Sequence, residues 1–355
     1  MGFGVTGREV KSAWARSNTW GTPASVTRQV LLQSTEGWED KPQYVEDPAF
    51  NQDFIAEAEV GDLEPPTPGI RSQARYEQID FAFAGACGSV VAPASTSGQA
   101  ANSLVAYTHA ITLAAELNHF YTFAADVTQF THELTTAKLR GFTLSVGERG
   151  VLQVEFPAVV NRSTIISSVN INSTVGGAAV AAIGNRIMRK HGTWRLNLTT
   201  AGALGASDVI GNLKDFTFTY ARPLAQDDHV VGLDYIIEPD DDGMLEATLQ
   251  LNYPRMNTVT ANSLITAFRE GQSFKGDLKF LGPYVNSTTQ RTFWVEFPAA
   301  QVDQITHPVV GHNQVRPSVT LKLRRAASAP TGMSGLTSPF RLTLINSNSA
   351  NLITG

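Results

Sequence analysis

Hydrophobic and polar residues alternate at every second position in short segments along most of the chain. The alternation is clearest at 142–146, 154–156, 194–198, 216–220, 245–253, 319–323 and 340–344. A period of two places one face of a strand on a core and the other face elsewhere, which is typical of antiparallel sheets. Gly147-Glu148-Arg149-Gly150 joins the first two segments as a predicted hairpin, because its glycines suit turn positions with positive φ.

Helical periodicity is confined to 76–85 and 262–271, and each of these segments ends in a glycine. A third short helical stretch is an option at 114–117. The pattern therefore predicts a mainly β chain in which each half is a β-sandwich or open barrel with one flanking α-helix. Long, weakly patterned loops connect the elements, among them 15–50, 92–103, 221–243 and 326–335.

A nine-residue segment occurs twice. AADVTQFTH at 124–132 returns as AAQVDQITH at 299–307, with six of nine residues identical. Two weaker similarities keep the same order, 76–85 with 262–271 and 44–48 with 235–239. A tandem duplication explains three collinear similarities. It predicts two domains, 1–175 with an N-terminal arm and 176–355.

Segment 15–50 carries four large aromatic residues, Trp20, Trp38, Tyr44 and Phe50. A loop exposed to water seldom keeps such side chains, and aromatic residues are frequent anchors at protein interfaces. We expect this arm to dock on a neighbouring copy of the chain. The alternative is that the arm folds back over its own domain.

The composition narrows the function classes. Only 17% of the 355 residues are charged, the formal net charge is −5, and Cys87 is the single cysteine. One cysteine excludes an intrachain disulfide and a thiolate metal cluster, and Cys87 is expected to be an apolar filler at the end of the first helix. No segment approaches the roughly 20 apolar residues of a membrane span, and the N-terminus lacks the plan of a signal peptide. Folding in a cytoplasm is expected.

Catalytic signatures are missing from the sequence. Gly2-Phe3-Gly4-Val5-Thr6-Gly7 matches the dinucleotide fingerprint as a string, but no strand precedes it to deliver the loop. A flexible terminus is the expectation there. The sequence also lacks the phosphate-binding loop GxxxxGK[ST], the zinc-protease motif HExxH and the nucleophile elbow GxSxG. We therefore expect no catalytic, cofactor-binding or metal-binding residues.

Two polar features invite a functional interpretation. His132 and His307 occupy equivalent points of the repeat, and a structural role at a strand end is expected, because a catalytic residue is seldom needed twice. The acidic segment 238–243 lacks the alternating spacing and distal Glu of a known calcium loop, so a solvated loop is expected. Two carboxylates that act together in hydrolysis are brought together by the fold and need not be close in the sequence. The sequence therefore leaves open whether such a pair exists.

We find no basic cluster that follows a helix or loop, and the chain is mildly acidic, so tight nucleic-acid binding by phosphate neutralisation is not expected. Transient passage of DNA remains compatible with the composition, because a wall without Lys and Arg arrays would not grip a polyanion. Polar strand faces such as Thr217 with Thr219, and Glu246 with Thr248 and Gln250, suit such a wall.

The chain resembles the tail tube (major tail) proteins of long, noncontractile-tailed bacteriophages, in the larger form with a duplicated tube domain. The resemblance begins with Gly4-Val5-Thr6-Gly7-Arg8-Glu9-Val10-Lys11 and Trp20-Gly21-Thr22-Pro23. It continues through Glu46-Asp47-Pro48, Tyr107-Thr108-His109, the strand-turn 139–156 and the helix-strand 262–282. The similarity is one of arrangement over most of the chain rather than of a sharp motif.

The resemblance implies β-sandwich domains whose inner sheets join across subunits around a channel, and rings that stack into a tube for DNA ejection. Two domains per chain would give a trimeric ring with pseudo-sixfold symmetry. Expected partners are further copies of the chain, a tape measure protein inside the tube, and tail tip and terminator proteins. DNA would pass transiently and without sequence specificity. The expected location is the virion, after synthesis in the host cytoplasm, and no enzyme activity or cofactor is implied.

Two alternatives stay open. Another tail or capsid structural protein, such as a terminator or decoration protein, would form a single ring or bind a shell without polymerising. A glycan-binding protein or enzyme built on twinned β-sandwiches would instead carry a concave aromatic or paired-carboxylate site.

Overall fold

The computed structural model describes residues 10–46, 58–95, 104–146, 150–179, 185–208, 213–226, 228–233, 235–254, 266, 268–306, 316–350 and 352, with only the backbone described at 42–46 and 58–63. The strands are β1 (Lys11–Ser17), β2 (Arg28–Gln29), β3 (Lys41–Glu46), β4 (Ala58–Glu64), β5 (Gly69–Gln73), β6 (Gly88–Val90), β7 (Ala94–Ser95), β8 (Tyr107–Leu113), β9 (Phe120–Asp126), β10 (Thr131–Leu139), β11 (Gly141–Val146), β12 (Leu152–Val160), β13 (Ser163–Ile165), β14 (Gly192–Leu198), β15 (Asp215–Ala221), β16 (Glu246–Asn252), β17 (Ser273–Tyr284), β18 (Gln290–Thr306), β19 (Ser318–Arg324) and β20 (Arg341–Asn346). The helices are α1 (Asp80–Cys87) and α2 (Asn172–Gly177), with single 3-10 turns at Arg189–His191 and Ala206–Asp208.

The mainly β prediction is confirmed. Each of the seven alternating segments coincides with a strand or overlaps one, and within the strands the alternating apolar positions face the core; Leu245, which precedes β16, is exposed. The predicted hairpin pairs β11 with β12, from Thr143 opposite Glu155 to Val146 opposite Leu152. Gly150 has a φ of +74°, as the turn requires, while 147–149 lie outside the described residues.

The first predicted helix is α1, and all eight of its residues are buried. Its closing glycine is Gly88, with a φ of +83° and an N–H that donates to the carbonyl of Ala84, rather than the predicted Gly85. Gly85 lies inside the helix, where a Cβ would collide with the ring of Tyr121. The closing glycine thus comes three residues later than the pattern indicated.

The second predicted helix is described at Thr266, Phe268 and Arg269, and Gly271 follows with a φ of +62°. Residues 262–265 lie outside the described part of the chain. The third helical option was wrong, because 114–117 is an irregular connection without helical residues. The N–H of Ala114 bonds to the carbonyl of Cys87 instead.

The strands form one closed antiparallel barrel, and β3 with β4 forms a separate two-stranded sheet. In the barrel, β12 lies between β5 and β11, and β15, β16, β19 and β18 follow in order. β18 also pairs with β17 and β20, which continue to β14 and β8. β10 extends the barrel towards β9, β1 and β2.

Gly141 lies at a corner of the barrel. β10 leads into β11 through Arg140, yet β10 pairs with β9 whereas β11 pairs with β15. Gly141 has a φ of +137°, and a Cβ there would collide with the carbonyl oxygen of Tyr220. A glycine is therefore needed where the chain changes its pairing partner.

A single buried core joins the two halves of the sequence. Phe83 of α1 contacts Phe142 and Phe156 from the first half, with ring centroids 5.1 Å away in both cases, and Phe293 from the second half at 5.4 Å. Backbone pairing crosses the halves as well, between β11 and β15 and between β8 and β20. The division at 175/176 stays a prediction, since the halves share a sheet and a core.

The two copies of the nine-residue segment differ in conformation. The first copy ends β9, makes a turn and begins β10, with Thr128 at a φ of +71°. The second copy continues as strand β18 as far as Thr306, and His307 lies outside the described residues. The first copy thus spans the turn between the paired strands β9 and β10, whereas the second copy lies at the end of β18, which pairs with β19.

The docking expectation for segment 15–50 was wrong for Trp38, whereas Trp20 is half-buried against its own chain. Trp38 is fully buried against its own chain, with its ring 5.5 Å from that of His132. The Trp20 indole donates to the carbonyl of Ile236 at 3.1 Å, and its ring packs 5.5 Å from that of Phe120. Each tryptophan finds its site within the same chain. The side chain of Tyr44 and all of Phe50 lie outside the described residues.

Candidate assembly surfaces

A broad polar face covers the outer side of β5, β12, β11, β15, β16 and β19, whose inward residues fill the core. One row across this face consists of Gln73, Gln153, Ser145, Thr217, Gln250 and Thr320, and the next consists of Arg71, Glu155, Thr143, Thr219, Thr248 and Lys322. None of these side chains is buried. The polar positions that the sequence placed on strand faces thus share one surface.

The charged residues in these two rows have partners of opposite charge. Arg71 Nε lies 3.1 Å from Glu155 Oε2, and Lys322 Nζ lies 3.0 Å from Oε1 of Glu246, the first residue of β16. Every other member of the two rows is Ser, Thr or Gln. The exposed ion pairs contribute little to stability. The face offers hydrogen bonds without an array of cations.

The connection from β15 to β16 carries an acidic loop, residues 238–242. Buried Arg222 anchors it: Arg222 Nε lies 2.6 Å from Asp241 Oδ1, and the guanidinium also donates to the carbonyls of Ala114 and Ala115. This guanidinium lowers the pKa of Asp241 below its ordinary value. These contacts of Arg222 hold the loop at the C-terminal end of β15.

A second anchor holds the same loop. Lys138 Nζ lies 3.1 Å from Glu238 Oε1 and donates to the carbonyl of Pro239 at 2.7 Å. The predicted solvated loop agrees with the exposure of 238 and 240–243, and Glu238 and Asp241 form ion pairs in addition. Asp240 and Asp242 are exposed. The described residues contain no group of three or more His, Cys, Asp or Glu side chains arranged to hold a metal ion.

An aliphatic loop, residues 165–171, exposes Ile165, Ile166, Val169 and Ile171, with 57%, 76%, 40% and 51% of their surfaces accessible. Ile166 has a φ of +68°, which is strained for a β-branched residue. Its N–H donates to the carbonyl of Thr131 at 3.0 Å. A strained residue with an exposed apolar side chain is a candidate contact point.

A buried polar network keeps the aliphatic loop in place. Glu133 Oε2 accepts from Ser167 Oγ at 2.7 Å and from Asn170 Nδ2 at 2.5 Å. Asn170 Oδ1 in turn accepts from the N–H of Val26 at 2.8 Å. The loop is therefore preorganised, and a partner would not have to order it.

His132 lies in β10, with Nε2 2.7 Å from Ser163 Oγ. Burial is the main cause of a lowered pKa of its imidazole. The glycine-rich string at 2–7 and His307 lie outside the described residues.

A cavity of about 240 Å³ is lined by Trp14, Arg28, Gln29, Glu77, Gln78, Asp80, Ala179, Ser347 and Asn348. Its two carboxylates have partners. Glu77 Oε1 lies 2.5 Å from Arg291 Nε, and Asp80 Oδ2 accepts from the side-chain amides of Asn346 and Asn348, each at 3.0 Å. Glu77 Oε2 and the Gln78 side-chain oxygen have no partner among the described residues and can accept from water.

An open cleft of about 510 Å³ gathers basic side chains from both halves. Its lining is Arg75, Asn185, Arg186, Met188, Lys190, His191 and Pro283, without an acidic residue. Burial and then the nearby Arg186 guanidinium lower the pKa of Arg75. Burial and then Lys190 likewise lower the pKa of His191. We call Arg75, Arg186, Lys190 and His191 the basic cleft.

The basic cleft is a cluster that the sequence alone did not reveal. Part of the signal was visible, since 186–191 reads RIMRKH with four basic residues in six. Arg75 is more than a hundred positions away and reaches the cluster through the backbone bridge between Arg75 and Arg186. Only the fold brings these charges together.

Comparison with known proteins identifies the family. A model described as phage tail tube protein matches residues 7–314. No curated protein matches the chain. A solved chain from a "Virion of native gene transfer agent (GTA) particle" is similar, with 11% identity and a TM-score of 0.26 over 40% of this chain and 95% of that chain. Because the family model spans most of the sequence, this chain belongs to the phage tail tube protein family and is a structural protein of a phage tail.

Proposed function

We propose that the chain self-assembles into stacked rings that form the tube of a phage tail, through which DNA is ejected into the host. The polar face carries this proposal. It provides a broad, hydrogen-bonding surface, and the charged residues of its two rows are paired within the chain. We propose that it lines the channel.

The physical reason lies in the interaction with DNA phosphates. Each Lys or Arg that binds a phosphate releases counterions and adds affinity. A conduit must let the polyanion move, so unpaired cations on the wall would slow its passage. Threonine, serine and glutamine keep the wall hydrated without that grip, which suits transient, non-specific passage.

We propose that each ring contains three chains with pseudo-sixfold symmetry. The repeated nine-residue segment, which lies at the paired strands β9 and β10 in one half and at the end of β18, paired with β19, in the other, supports two tube domains per chain. Neighbouring subunits would pair their sheet edges, so that ring closure removes free strand edges. The remaining partners in this proposal are a tape measure protein in the channel and tail tip and terminator proteins at the ends. Synthesis would take place in the host cytoplasm.

The hairpin of β3 and β4 would contact the next ring. Among the described strands, β3 and β4 pair only with each other, and they form a sheet separate from that of the barrel. The aliphatic loop would be buried between neighbouring subunits, because four exposed aliphatic side chains on a rigid loop are costly in water.

Electron microscopy of the concentrated purified protein tests the proposal. We expect side views of tubes and end views of rings with three chains around a channel. Six chains per ring would refute the pseudo-sixfold arrangement and keep the tube. Single rings that never stack would favour a terminator protein. Monomers that persist in the presence of tail partners would refute the tube and direct attention to glycan binding.

A further inference from the structure

The cavity of about 240 Å³ beside the start of α1 is a site that the proposed tube does not use. Its lining comes from segments that are far apart in the sequence: Trp14 of β1, Arg28 of β2, the residues that lead into α1 and those that follow β20. Trp14 and Arg28 are paired neighbours on their two strands. A water occupies about 30 Å³, so the cavity has room for about eight waters or for a ligand of a few heavy atoms.

Two side-chain oxygens in the lining lack a donor. Glu77 and Gln78 are both more than nine-tenths buried. Arg291 binds Glu77 Oε1, whereas Glu77 Oε2 and the side-chain oxygen of Gln78 accept no hydrogen bond from the part of the chain that the structure describes. A buried acceptor without a donor is costly. A ligand that brings N–H donors into the cavity would remove this cost.

The backbone is strained at one of these two residues. Gln78 has a φ of +86°, in the left-handed region that favours glycine. Strain of this kind is frequent at binding sites, where the surrounding structure enforces it. The chain thus keeps a long amide side chain at a position where glycine would fit the backbone better. This points to a use for the side chain itself.

Buried negative charge sets the sign of the ligand. Asp80 is almost fully buried and accepts from the side-chain amides of Asn346 and Asn348. It takes part in none of the ion pairs between described residues. Arg28 also lines the cavity, but it is half-buried, so water screens its charge in part. The buried carboxylates therefore favour a cation over an anion.

We infer that the cavity binds a protonated primary amine, whose ammonium group donates to Glu77 Oε2 and to the side-chain oxygen of Gln78. An ammonium carries three donors, and its hydrogen bonds to a carboxylate are stronger than those between neutral groups. Both acceptor side chains are flexible, so a small rotation turns their oxygens towards the entering ligand. The carbon chain of the amine would lie against the apolar wall of Trp14. The site does not depend on the proposed tube.

A sugar and a metal ion fit the cavity less well. A sugar needs an open aromatic face, but Trp14 is almost fully buried and stacks on Phe81 with ring centroids 3.4 Å apart. A metal ion needs more ligands, and the described residues contain no group of three His, Cys, Asp or Glu that could hold one. An amine needs only the two acceptors that lack donors.

Titration with n-butylammonium chloride, which has the atoms of a lysine side chain, tests the site. Saturation-transfer NMR on the full chain at constant ionic strength should show saturable binding with a Kd of about 1 mM, as suits a ligand this small. n-Butanol lacks the charge and tetramethylammonium lacks N–H donors, so each should bind at least about tenfold more weakly. Equal binding of either compound, or no saturable binding of the amine, would overturn the inference.

Two substitutions should shift the affinity in opposite directions. Gln78→Gly removes an acceptor and relieves the strained φ, so it should weaken amine binding about tenfold without lowering the unfolding midpoint. Arg28→Gln removes a like charge and should strengthen binding about threefold. The matched controls are Thr128→Gly, which relieves a φ of +71° outside the cavity, and Arg324→Gln, which removes an exposed cation elsewhere. Both controls should bind like the unmodified protein. Unchanged binding by Gln78→Gly, or weaker binding by Arg28→Gln, would refute the site.

Assembly distinguishes the two sources of the amine, a free small molecule and a lysine side chain of a second copy. If a lysine of a second copy fills the cavity, n-butylammonium at about ten times its Kd should reduce the assembled fraction, whereas tetramethylammonium at the same concentration should not. If a free amine fills it, assembly should be equal in both salts. Either result supports the amine site. Failure of the chain to form rings would refute the proposed tube and would leave the binding measurements on the single chain intact.

Discussion

At the residue scale, the fold depends on buried polar side chains that each have a specific partner. His132 is an example, since its ring lies between Trp38 and Ser163 in a site that burial keeps dry. The repeat predicted that His132 lies at the end of a strand, and β10 begins at Thr131, one residue before it. The sequence did not predict its partners, because Trp38 comes from a loop almost a hundred residues away and local patterns carry no information about such contacts.

Protonation of His132 should destabilise the fold. Its pKa is lowered from the ordinary 6.5 in the folded chain, so the unfolded chain binds the proton more readily. Stability should therefore fall as the pH drops below about 6.5. His132→Gln keeps a hydrogen-bonding side chain that does not titrate, and we expect it to cost about 1 kcal/mol at pH 8. Between pH 7 and pH 5 the unmodified protein should lose more stability than the variant in urea unfolding. Parallel losses would contradict this expectation.

At the scale of elements, the strands were predictable and the connections were not. Strands such as β15 and β16 have one face on the core and one outside, and their sequence shows it. Helix α1 is buried on all sides, so no amphipathic period marks its end, and the prediction stopped at Gly85. Helix α2 has only six residues, too few for a period to appear.

The corner at Gly141 should tolerate no side chain. Gly141→Ala requires a Cβ at a φ of +137° against the carbonyl of Tyr220, and we expect a loss of about 2 to 4 kcal/mol in the free energy of unfolding. Gly202→Ala is the control, because a Cβ there meets no described atom within 4 Å. It should change stability by at most about 0.5 kcal/mol. Equal effects of the two substitutions in urea unfolding would show that the corner is not the cause.

At the scale of the whole molecule, the shared barrel and the basic cleft emerge only from the fold. The repeat predicted two units, and the structure joins their strands through β11 with β15 and β8 with β20. Strands that pair in this way are far apart in the sequence. The hydrophobic pattern of a strand does not specify which other strand it pairs with. The basic cleft was missed for the same reason, because Arg75 joins 186–191 only in space.

The hairpin of β3 and β4 should be dispensable for folding and needed for tube growth. Replacing 43–62 by a short Gly-Ser linker removes strands that pair only with each other among those described. We expect an unchanged unfolding midpoint and normal rings, with much shorter tubes in micrographs. The same linker inserted after Gly202, a glycine in open space, serves as the control. Tubes of full length after deletion would show that the hairpin does not bridge rings.

The position of Cys87 makes its thiol a natural probe for transient opening of the core. The thiol is fully buried at the end of α1, and burial raises its pKa, so it is neither reachable nor reactive in the folded chain. It is also the single cysteine of the sequence. A thiol reagent therefore modifies the protein only when the shared core opens, and each modified molecule records one such event. The rate of modification therefore measures how often the barrel opens transiently. The measurement works for a free chain and for an assembled tube, and it needs no introduced probe.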